Sequence, residues 1–483
     1  MRRALTLPAL ALTTALAVST GLAVGGPSGA LGATGHPARA AALGSPGHWN
    51  KVSSGSVPSS YVPSVVRTSD GALHVVYAKN VMDGIRIGHT ALNTAGTVTG
   101  RNDVLASGWS VMDTAPVVVT GGDSSLRVLF GGLQTQSPGF WSQGRMYDAT
   151  STTSGADWDL PTETVGLSTH AVQSHGTAAT TLADGTPVAG FPLDDTLTWH
   201  VGTGYTPDQH YQLAQISNCC MFGASMVRDG DSVWVAWYQN GWSDTGSGTF
   251  AMQIYPTVGS PIKAPGSSVG ANSVYTGRVA LAARAGGGVF AAYCAGAPTC
   301  TSIRIWKVGT DQTAKVPGSK LATSIALSTA RSGRLWLAWA NSTPAVRAMR
   351  TSTTGLGVGA VTKPGLPKHG LAYSIAIEGS RAKGDIVLNA GNGIWHTQVL
   401  PGLTTKASKT SWRVHRKQKV VFTVRDAKAP VKGATVKIGT LHCKTRAKGT
   451  CSITFPASYA QGKHKGKVTK PHYGRAPILV RVR

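Results

Sequence analysis

Residues 219–256 read CCMFGASMVRDGDSVWVAWYQNGWSDTGSGTFAMQIYP, and the pattern of this stretch decides the fold. An apolar strand is followed by a tight turn at Asp229-Gly230, a second and very apolar strand, a loop with an aromatic ring, and a third strand. An Asp-Gly pair between two apolar runs is typical of a β-hairpin. The stretch therefore predicts three consecutive antiparallel strands.

The same unit recurs between residues 61 and 403 at intervals of roughly 40 to 60 residues, which is the period of propeller blades. The first two strands of the seven copies read PSVVRTSDGALHVVYA, PVVVTGGDSSLRVLFG, TAATTLADGTPVAGFP, ASMVRDGDSVWVAWY, RVALAARAGGGVFAAY, SIALSTARSGRLWLAWA and SIAIEGSRAKGDIVLNA. We expect an all-β propeller of six or seven blades over residues 47–403, and the seven copies favour seven. The segment His48–Val52 (HWNKV) is a candidate for the outer strand of the last blade.

The first 40 residues are expected to be a secretory signal peptide and its processing region. Arg2 and Arg3 precede the apolar run LTLPALALTTALAVSTGLAV, and small residues follow it. Cleavage is expected after Gly32 or after Ala40. No later apolar run is long enough to span a bilayer. The sequence therefore predicts an exported protein, either released or held at the cell surface by something other than a helix.

The cysteine count of six fits an oxidising compartment. Two pairs flank short turns and are expected to bridge hairpins: Cys294 with Cys300, and Cys443 with Cys451. The adjacent Cys219 and Cys220 are either a vicinal disulfide or two thiols, and export favours the disulfide. Such a ring would stiffen the loop at the mouth of the fourth blade, whereas a redox role is disfavoured because the pair lacks C-x-x-C spacing.

One turn resembles a known family. YDATSTTSGADW at residues 147–158 is similar to the Asp-box turn of sialidase-type (BNR-repeat) propellers. Ser151, Gly155 and Trp158 stand in the matching positions, and Thr153 replaces the aspartate. In that family the box is a structural turn away from the active site, so the resemblance implies the propeller fold and not catalysis.

Residues 404–483 form a different unit. Their β-patterned strands resemble a small Ig-like or carboxypeptidase-regulatory-like β-sandwich, and TRAKGTCSITFPA at 445–457 stands where that family has a T-D-x-x-G-x-A turn, with Arg446 in place of the acid. We expect a linker near Gly402–Ser408.

The basic charge of the protein is concentrated in this C-terminal unit. Residues 404–483 contain 20 Lys and Arg against one acid, Asp426, and so contribute +19 to a net charge of +26. Such a unit attracts polyanions, and the expected contacts are Arg416, Lys417, Lys419, Lys463, Lys465 and Lys467. An anionic cell-wall polymer or lipid headgroups are the expected partners, and nucleic acid is disfavoured because few aromatic residues are available for stacking. The alternative is that the charge serves only solubility.

Propeller geometry sorts the loop residues by face. Turns between first and second strands open on one face, where Asp70, Asp123, Asp184, Asp229 and Asp231 are expected to bond their own backbone. The opposite, funnel face is expected to bind ligand, because aromatic rings beside polar groups suit a sugar. The predicted ligand-binding residues are Trp141, His175, Tyr238, Trp242, Asp244, Tyr275 and Arg278. The alternative is that these are solvated loop residues.

A sialidase mechanism is disfavoured. It would need converging arginines and a tyrosine activated by a glutamate, but the only glutamates, Glu163 and Glu378, fall away from the funnel. The recurring arginines near the third strands are expected either to pack blades or to face solvent: Arg86, Arg145, Arg304 and Arg347.

Two readings other than carbohydrate binding stay open. A glycan hydrolase or lyase could use Asp113 with Asp194 or Asp195 as acid and base, and the third reading is a protein–protein scaffold. No cofactor is expected. The histidines lack zinc spacing, and calcium, the metal that best suits aspartates, lacks an Asp-rich loop with ligand spacing.

Overall fold

Every regular element is a β-strand apart from one 3₁₀ turn at Arg331–Gly333, within the residues that the structure describes. The computed structural model describes residues 47–82, 84–104, 109–111, 115–121, 125–134, 145–159, 176–193, 196–202, 209–212, 221–239, 247–267, 279–296 and 299–483.

Strands up to residue 399 form seven small antiparallel sheets within these ranges. Sheets 1 to 3 contain β2 (Ser64–Arg67), β3 (Leu73–Val81), β4 (Gly84–Leu92) and β5 (Val98–Asp103); β6 (Trp109–Val111), β7 (Val117–Thr120), β8 (Leu126–Gln134) and β9 (Arg145–Ser151); and β10 (Ala178–Thr181), β11 (Pro187–Leu193), β12 (Thr196–Val201) and β13 (Gln209–Gln212). Sheets 4 and 5 contain β14 (Met221–Asp229), β15 (Ser232–Gln239), β16 (Gly248–Tyr255) and β17 (Ile262–Lys263); and β18 (Ala280–Ala283), β19 (Val289–Ala295), β20 (Ser302–Lys307) and β21 (Thr313–Lys315). Sheets 6 and 7 contain β22 (Ala322–Ala330), β23 (Arg334–Asn341) and β24 (Ala345–Arg350); and β25 (Ser374–Glu378), β26 (Gly384–Asn389), β27 (Ile394–Val399) and β1 (Asn50–Lys51).

The sheets are arranged in a ring. The inner strand of each sheet contacts the inner strands of the sheets on either side, in the order β2, β7, β10, β14, β18, β22, β25 and back to β2. The structure is therefore an all-β propeller, as the sequence predicts.

The opening stretch shows why the second strand of each copy is so apolar. Alternate residues of β15 point to opposite sides of sheet 4, because side chains alternate along a strand. Val235 and Trp237 pack in one cluster with Trp199 of sheet 3, and Tyr238 packs in another with Tyr293 of sheet 5. Both faces of the sheet are thus covered by neighbouring sheets, so polar residues are not needed on either.

The ring closes with the N-terminal segment. Asn50 and Lys51 of β1 pair with His396 and Trp395 of β27, and Val52 N donates to Ile394 O at 2.8 Å. The prediction that HWNKV supplies the outer strand of the last sheet is confirmed.

A buried ionic network joins sheets 1 and 7. Arg67, the last residue of β2, donates from Nε to Glu378 at 2.6 Å and from Nη2 to Asp385 at 2.5 Å. Asp385 also lies 2.8 Å from His396 Nε2 and accepts from Gln398 Nε2 at 3.0 Å. Burial raises the pKa of Asp385, but the hydrogen bond and charge of His396 and the charge of Arg67 outweigh it, and the net pKa lies below the usual value.

Two further sheets follow residue 403 and share one core. Sheet 8 contains β28 (Thr404–Ala407), β30 (Gln418–Asp426), β31 (Ala429–Pro430) and β34 (Thr450–Phe455). Sheet 9 has the order β29 (Ser411–Trp412), β36 (Ala476–Val482), β35 (Gly462–Thr469), β32 (Thr435–Ile438) and β33 (Leu441–Lys444). Phe422 and Phe455 of sheet 8 pack with Val436, Val468 and Val480 of sheet 9.

The predicted linker is wrong. Residues 404–407 form β28, which pairs with β30 from Thr404↔Arg425 to Ala407↔Phe422. The chain therefore passes from sheet 7 into sheet 8 without a free segment. Gly402 also forms a bridge with Ala360, which ties the crossing point to the residues that follow sheet 6.

Candidate functional site

The inner strands surround a central channel of ≈ 560 Å³. Its wall is largely aliphatic, with Val65, Val117, Leu281, Ile325 and Ile375 contributed by five different sheets. None of the described residues that line it has an acidic or basic side chain. The described wall can therefore supply an apolar surface but not a charged acid–base pair.

Serines beside the channel hold the ring together. Ser64 Oγ accepts a hydrogen bond from Val118 N at 3.0 Å, and Ser225 Oγ accepts one from Leu281 N at 3.1 Å. Ser324 Oγ accepts a third from Ile375 N at 3.1 Å. In each case the acceptor lies on the preceding inner strand and the donor on the next, so these hydroxyls connect sheets.

Strand registers define which loops share the channel mouth. Gly190, near the end of β11, pairs with Ala178 at the start of β10, and Gln239 at the end of β15 pairs with Met221 at the start of β14. Because paired strands run in opposite directions, the end of the second strand lies at the same face as the start of the inner strand. The ends of β11 and β15 and the starts of β10 and β14 therefore flank the same mouth of the channel.

Most of the predicted ligand-binding and catalytic residues lie outside the described residues, in segments that adjoin this mouth in sequence. His175 immediately precedes Gly176, and Arg278 immediately precedes Val279, and both of these neighbours line the channel. The other predicted residues outside the described ranges are Asp113, Trp141, Asp194, Asp195, Cys219, Cys220, Trp242, Asp244 and Tyr275.

Tyr238 was expected to present its ring at the funnel face, but the ring is buried. Its side chain is only 6% exposed and packs with Ala236, Tyr293 and Trp306 between sheets 4 and 5. The alternation of β15 directs it at the neighbouring sheet, so Tyr238 is a packing residue and we leave it out of the site.

Turns on the opposite face are structural. Asp70 accepts from the Thr68 hydroxyl at 2.6 Å and from Ala72 N at 3.0 Å, and these bonds lower its pKa. Asp184 accepts from Thr186 N at 2.9 Å in the same way. Asp229 instead accepts from Gly288 N, in the turn between β18 and β19, at 2.9 Å. Asp231 is exposed, and Asp123 lies outside the described residues.

The recurring arginines do not converge on the channel. Arg304 Nη1 donates to Thr313 within sheet 5 at 3.1 Å, and Arg347 of sheet 6 donates to Gly318 O. Arg86 is buried, and the side chain of Arg145 lies outside the described part. Glu378 pairs with Arg67 at the end of an inner strand, away from the channel mouth, and Glu163 falls outside the described ranges.

The Asp-box-like turn is ordered by its own side chains. Ser151 Oγ accepts from Gly155 N at 2.8 Å, and Thr153 Oγ1, in the place of the aspartate, accepts from Asp157 N at 2.9 Å. Trp158 meets the ring of His89 edge-on, with centroids 5.4 Å apart. The turn therefore packs sheet 2 against sheet 1, while its membership of the Asp-box family stays a resemblance of sequence.

A pair of buried histidines was not predicted. His74 Nδ1 lies 3.0 Å from His89 Nε2, and His89 Nδ1 lies 2.8 Å from Asn102 Oδ1. Burial, and then the neighbouring His89, lower the pKa of His74 to about 4, and burial also lowers the pKa of His89. A signal existed in the sequence, since His74 and His89 both fall in strands of the first copy whose neighbours are apolar.

Within the described ranges no group of three or more His, Cys, Asp or Glu side chains is placed to hold a metal ion. Two predicted disulfides are confirmed: Cys294 is bonded to Cys300, and Cys443 of β33 to Cys451 of β34. Disulfides persist in oxidising compartments. The part of the chain that the structure describes contains no helix long and apolar enough to cross a membrane.

The predicted basic residues are exposed but do not form one patch. Lys463, Lys465 and Lys467 lie on β35 of sheet 9, whereas Lys419 lies on β30 of sheet 8. Arg416 and Lys417 lie in the turn that connects the two sheets. The structure thus separates the two basic clusters.

Comparison with solved structures returns similar folds at low identity. The Hadza microbial sialidase Hz136 is 11% identical over 70% of this chain, with a TM-score of 0.42, and this chain spans 65% of its length. The polysaccharide lyase Uly1 is 8% identical over 72% of this chain and 92% of its own, with a TM-score of 0.44. A mutant of the Aleuria aurantia lectin AAL in complex with Fucα1-6GlcNAc is 14% identical over 60% of this chain and 92% of its own, with a TM-score of 0.39.

No protein-family model matches the sequence, and no curated protein matches it.

Proposed function

We propose that this chain is an exported propeller protein that binds carbohydrate at the channel mouth. A basic C-terminal unit would hold it near an anionic polymer of the cell envelope. The observation that carries the proposal is the register of sheets 3 and 4, in which the ends of β11 and β15 flank the same mouth as the starts of β10 and β14. The segments that bear Trp242, Asp244 and His175 connect to those ends.

The organisation that we propose is a signal and processing region at residues 1–40, a seven-bladed propeller at 47–403 and an Ig-like β-sandwich at 404–483. Support for seven blades comes from the seven sequence copies and the ring of inner strands. Support for export comes from the two disulfides and the apolar segment near Arg2 and Arg3.

Binding without catalysis is the favoured reading, because the described channel wall contributes no acid or base. A sugar would stack its C–H face on Trp141 or Trp242 and direct hydroxyls to Asp244, His175, Tyr275 or Arg278.

The second candidate is a glycan hydrolase or lyase. It is supported by the positions of the aspartates in the sequence: Asp194 and Asp195 directly follow β11, and Asp113 shortly precedes β7. The end of β11 and the start of β7 both lie at the mouth. Two carboxylates at one mouth could act as acid and base if their pKa values differ.

A glycan panel assayed for both binding and cleavage tests these readings with the full exported chain. We compare Trp242→Ala, Trp141→Ala, Asp113→Asn and Asp194→Asn/Asp195→Asn, and Asp231→Asn at the opposite face serves as the control for the aspartates. A binder loses affinity in the tryptophan variants and shows no cleavage. An enzyme cleaves, and turnover falls by about 100-fold or more in an aspartate variant. A chain that neither binds nor cleaves any glycan overturns both readings and leaves a protein–protein scaffold.

A further inference from the structure

One side of sheet 9 carries six exposed Lys and Arg side chains, one exposed His and no acidic side chain. Its exposed Lys, Arg and His side chains are Lys437, His442, Lys444, Lys463, Lys465, Lys467 and Arg481, and we call this surface the cationic face. Only three of these seven residues are among the contacts predicted from the sequence.

Strand registers place these side chains on the same side. Lys467 of β35 pairs with Lys437 of β32, and Lys463 pairs with Arg481 of β36. His442 of β33 in turn pairs with Lys437. Directly paired residues project from the same side of an antiparallel pair. The intervening residues, among them Val436 and Val468, are buried against sheet 8.

The charge of this surface is not neutralised from within. Like charges directly opposite each other destabilise a strand pair, and two such pairs occur here. The only acid after residue 403, Asp426, is 2% exposed and bonded to Arg350 and Tyr473. None of these seven side chains forms a salt bridge with a described residue. An external anion is therefore the partner that relieves the repulsion.

The spacing on β35 indicates a linear anion. Lys463, Lys465 and Lys467 follow at every second residue, which spaces them by roughly 6.8 Å along the strand. A flexible polymer with one phosphodiester in each short repeat can place successive charges at such intervals.

Other anionic partners fit the surface less well. Leu479, at 51% exposure, is the only large exposed hydrophobic residue on this face, so little apolar surface is present to enter a lipid layer. Single-stranded nucleic acid binds by stacking on aromatic rings, but Trp412 and Phe455 lie in the core and Tyr473 contacts Arg350.

We propose that the cationic face of sheet 9 binds a linear phosphodiester polymer along β35. The inference rests on the proposed envelope location and identifies the partner and the surface that binds it.

The test measures binding of full-length protein to poly(glycerol phosphate) over a range of salt concentrations. The variant Lys463→Gln/Lys465→Gln/Lys467→Gln is compared with Lys406→Gln/Lys428→Gln/Lys448→Gln, which removes the same charge from exposed positions in sheet 8 and the turns beside it. We expect the first variant to lose at least about tenfold in affinity at low salt, and its slope of log K against log salt to fall by about 2. The second variant should keep affinity within about threefold, because it leaves the face intact. A Lys→Arg version of the first variant should bind as the unmodified chain does.

Equal losses in the two triple variants would overturn the face assignment, although polyanion binding by the C-terminal unit would stand. Tighter binding to phosphatidylglycerol vesicles or to single-stranded DNA than to the polymer would overturn the choice of partner. Absence of binding to all three probes would overturn the proposed envelope anchoring itself.

Discussion

Arg67 Nε donates to Glu378 Oε2 at 2.6 Å, and this bond joins two residues that are 311 positions apart in the chain. Both side chains are nearly buried, at 6% and 10% exposure. The bond connects the inner strand of sheet 1 with that of sheet 7. It therefore lies at the one junction where the ring must close between the two ends of the propeller sequence, next to the β1–β27 pairing.

Replacing this arginine should weaken the ring. Arg67→Met leaves Glu378 buried without its cation and Asp385 with only His396 and Gln398 as partners, which is expected to lower the free energy of unfolding by about 3–5 kcal/mol. Urea unfolding followed by tryptophan fluorescence measures the change. Arg446→Met, at an exposed position, should stay within about 0.5 kcal/mol. A loss below about 1 kcal/mol for Arg67→Met would show that the network does not stabilise closure.

Asp426 forms the main polar contact between sheet 6 and the C-terminal sheets. It lies 2.5 Å from Arg350 Nη2 and accepts from the Tyr473 hydroxyl at 3.2 Å. Asp426→Asn removes the negative charge that faces Arg350 and Arg334, whose Nη1 lies 3.7 Å from Asp426 Oδ2. We expect the free energy of unfolding to fall by about 2–5 kcal/mol. Hydrogen exchange should also become faster at Gly474 N, which donates to Pro401 O at 3.0 Å. Unchanged exchange in Asp426→Asn, compared with the exposed control Asp231→Asn, would contradict this contact's role.

The hydroxyl of Ser324 provides a third test. Ser324→Ala leaves the buried Ile375 N without its acceptor, so the free energy of unfolding should fall by about 1–3 kcal/mol. Ser342→Ala, at an exposed position in the turn after β23, is the control and should be nearly neutral. Combining Ser324→Ala with Ser225→Ala, which lies between different sheets, should give additive losses. If Ser324→Ala lowered the free energy of unfolding no more than Ser342→Ala, the Ser324 hydroxyl would not stabilise the contact between sheets 6 and 7.

Mild acid should destabilise the propeller through His74. Its pKa is about 4 in the folded chain and about 6.5 when unfolded, so the unfolded chain binds more protons between these values. Stability is therefore complete above pH 6.5 and falls as the pH drops towards 4, by about 3 kcal/mol at most. Asp385 affects stability in a different pH range. Because its pKa in the folded chain lies below the usual value of 3.8, the stability that its charge contributes is lost only below about pH 3.8.

Urea unfolding at pH 7, 5.5 and 4 measures this dependence. The variant His74→Gln should show a smaller loss over that range, whereas His472→Gln, at an exposed position, should follow the unmodified chain. A stability that did not change between pH 7 and 4 would mean that the buried histidines are not what acid disrupts.

The repeat made much of the fold predictable. Apolar second strands such as β15, with Asp-Gly turns before them, indicated antiparallel sheets, and the short HWNKV segment was recognisable because one outer strand was missing. Tyr238 was misplaced for a related reason. Its position near the end of an apolar strand does not reveal whether the ring faces the loop or the next sheet.

The sequence also revealed only part of the cationic face. The K-x-K-x-K pattern of Lys463, Lys465 and Lys467 was visible in the sequence, because alternation places these residues on one side of a strand. Lys437 and Arg481 come from strands elsewhere in the sequence, and only the strand order of sheet 9 brings them beside the three lysines.

By itself the sequence determined what is local: strands, turns, the seven copies, two disulfide pairs and the concentration of positive charge after residue 403. Those features depend on side-chain alternation and on neighbours a few positions apart. The tertiary structure decided which strands lie beside each other, and with them the Arg67–Glu378 bond, the His74–His89 pair and the burial of Tyr238. These contacts depend on ring closure and on packing between sheets, because the free energy of a buried charge or ring is set by partners that local sequence does not specify.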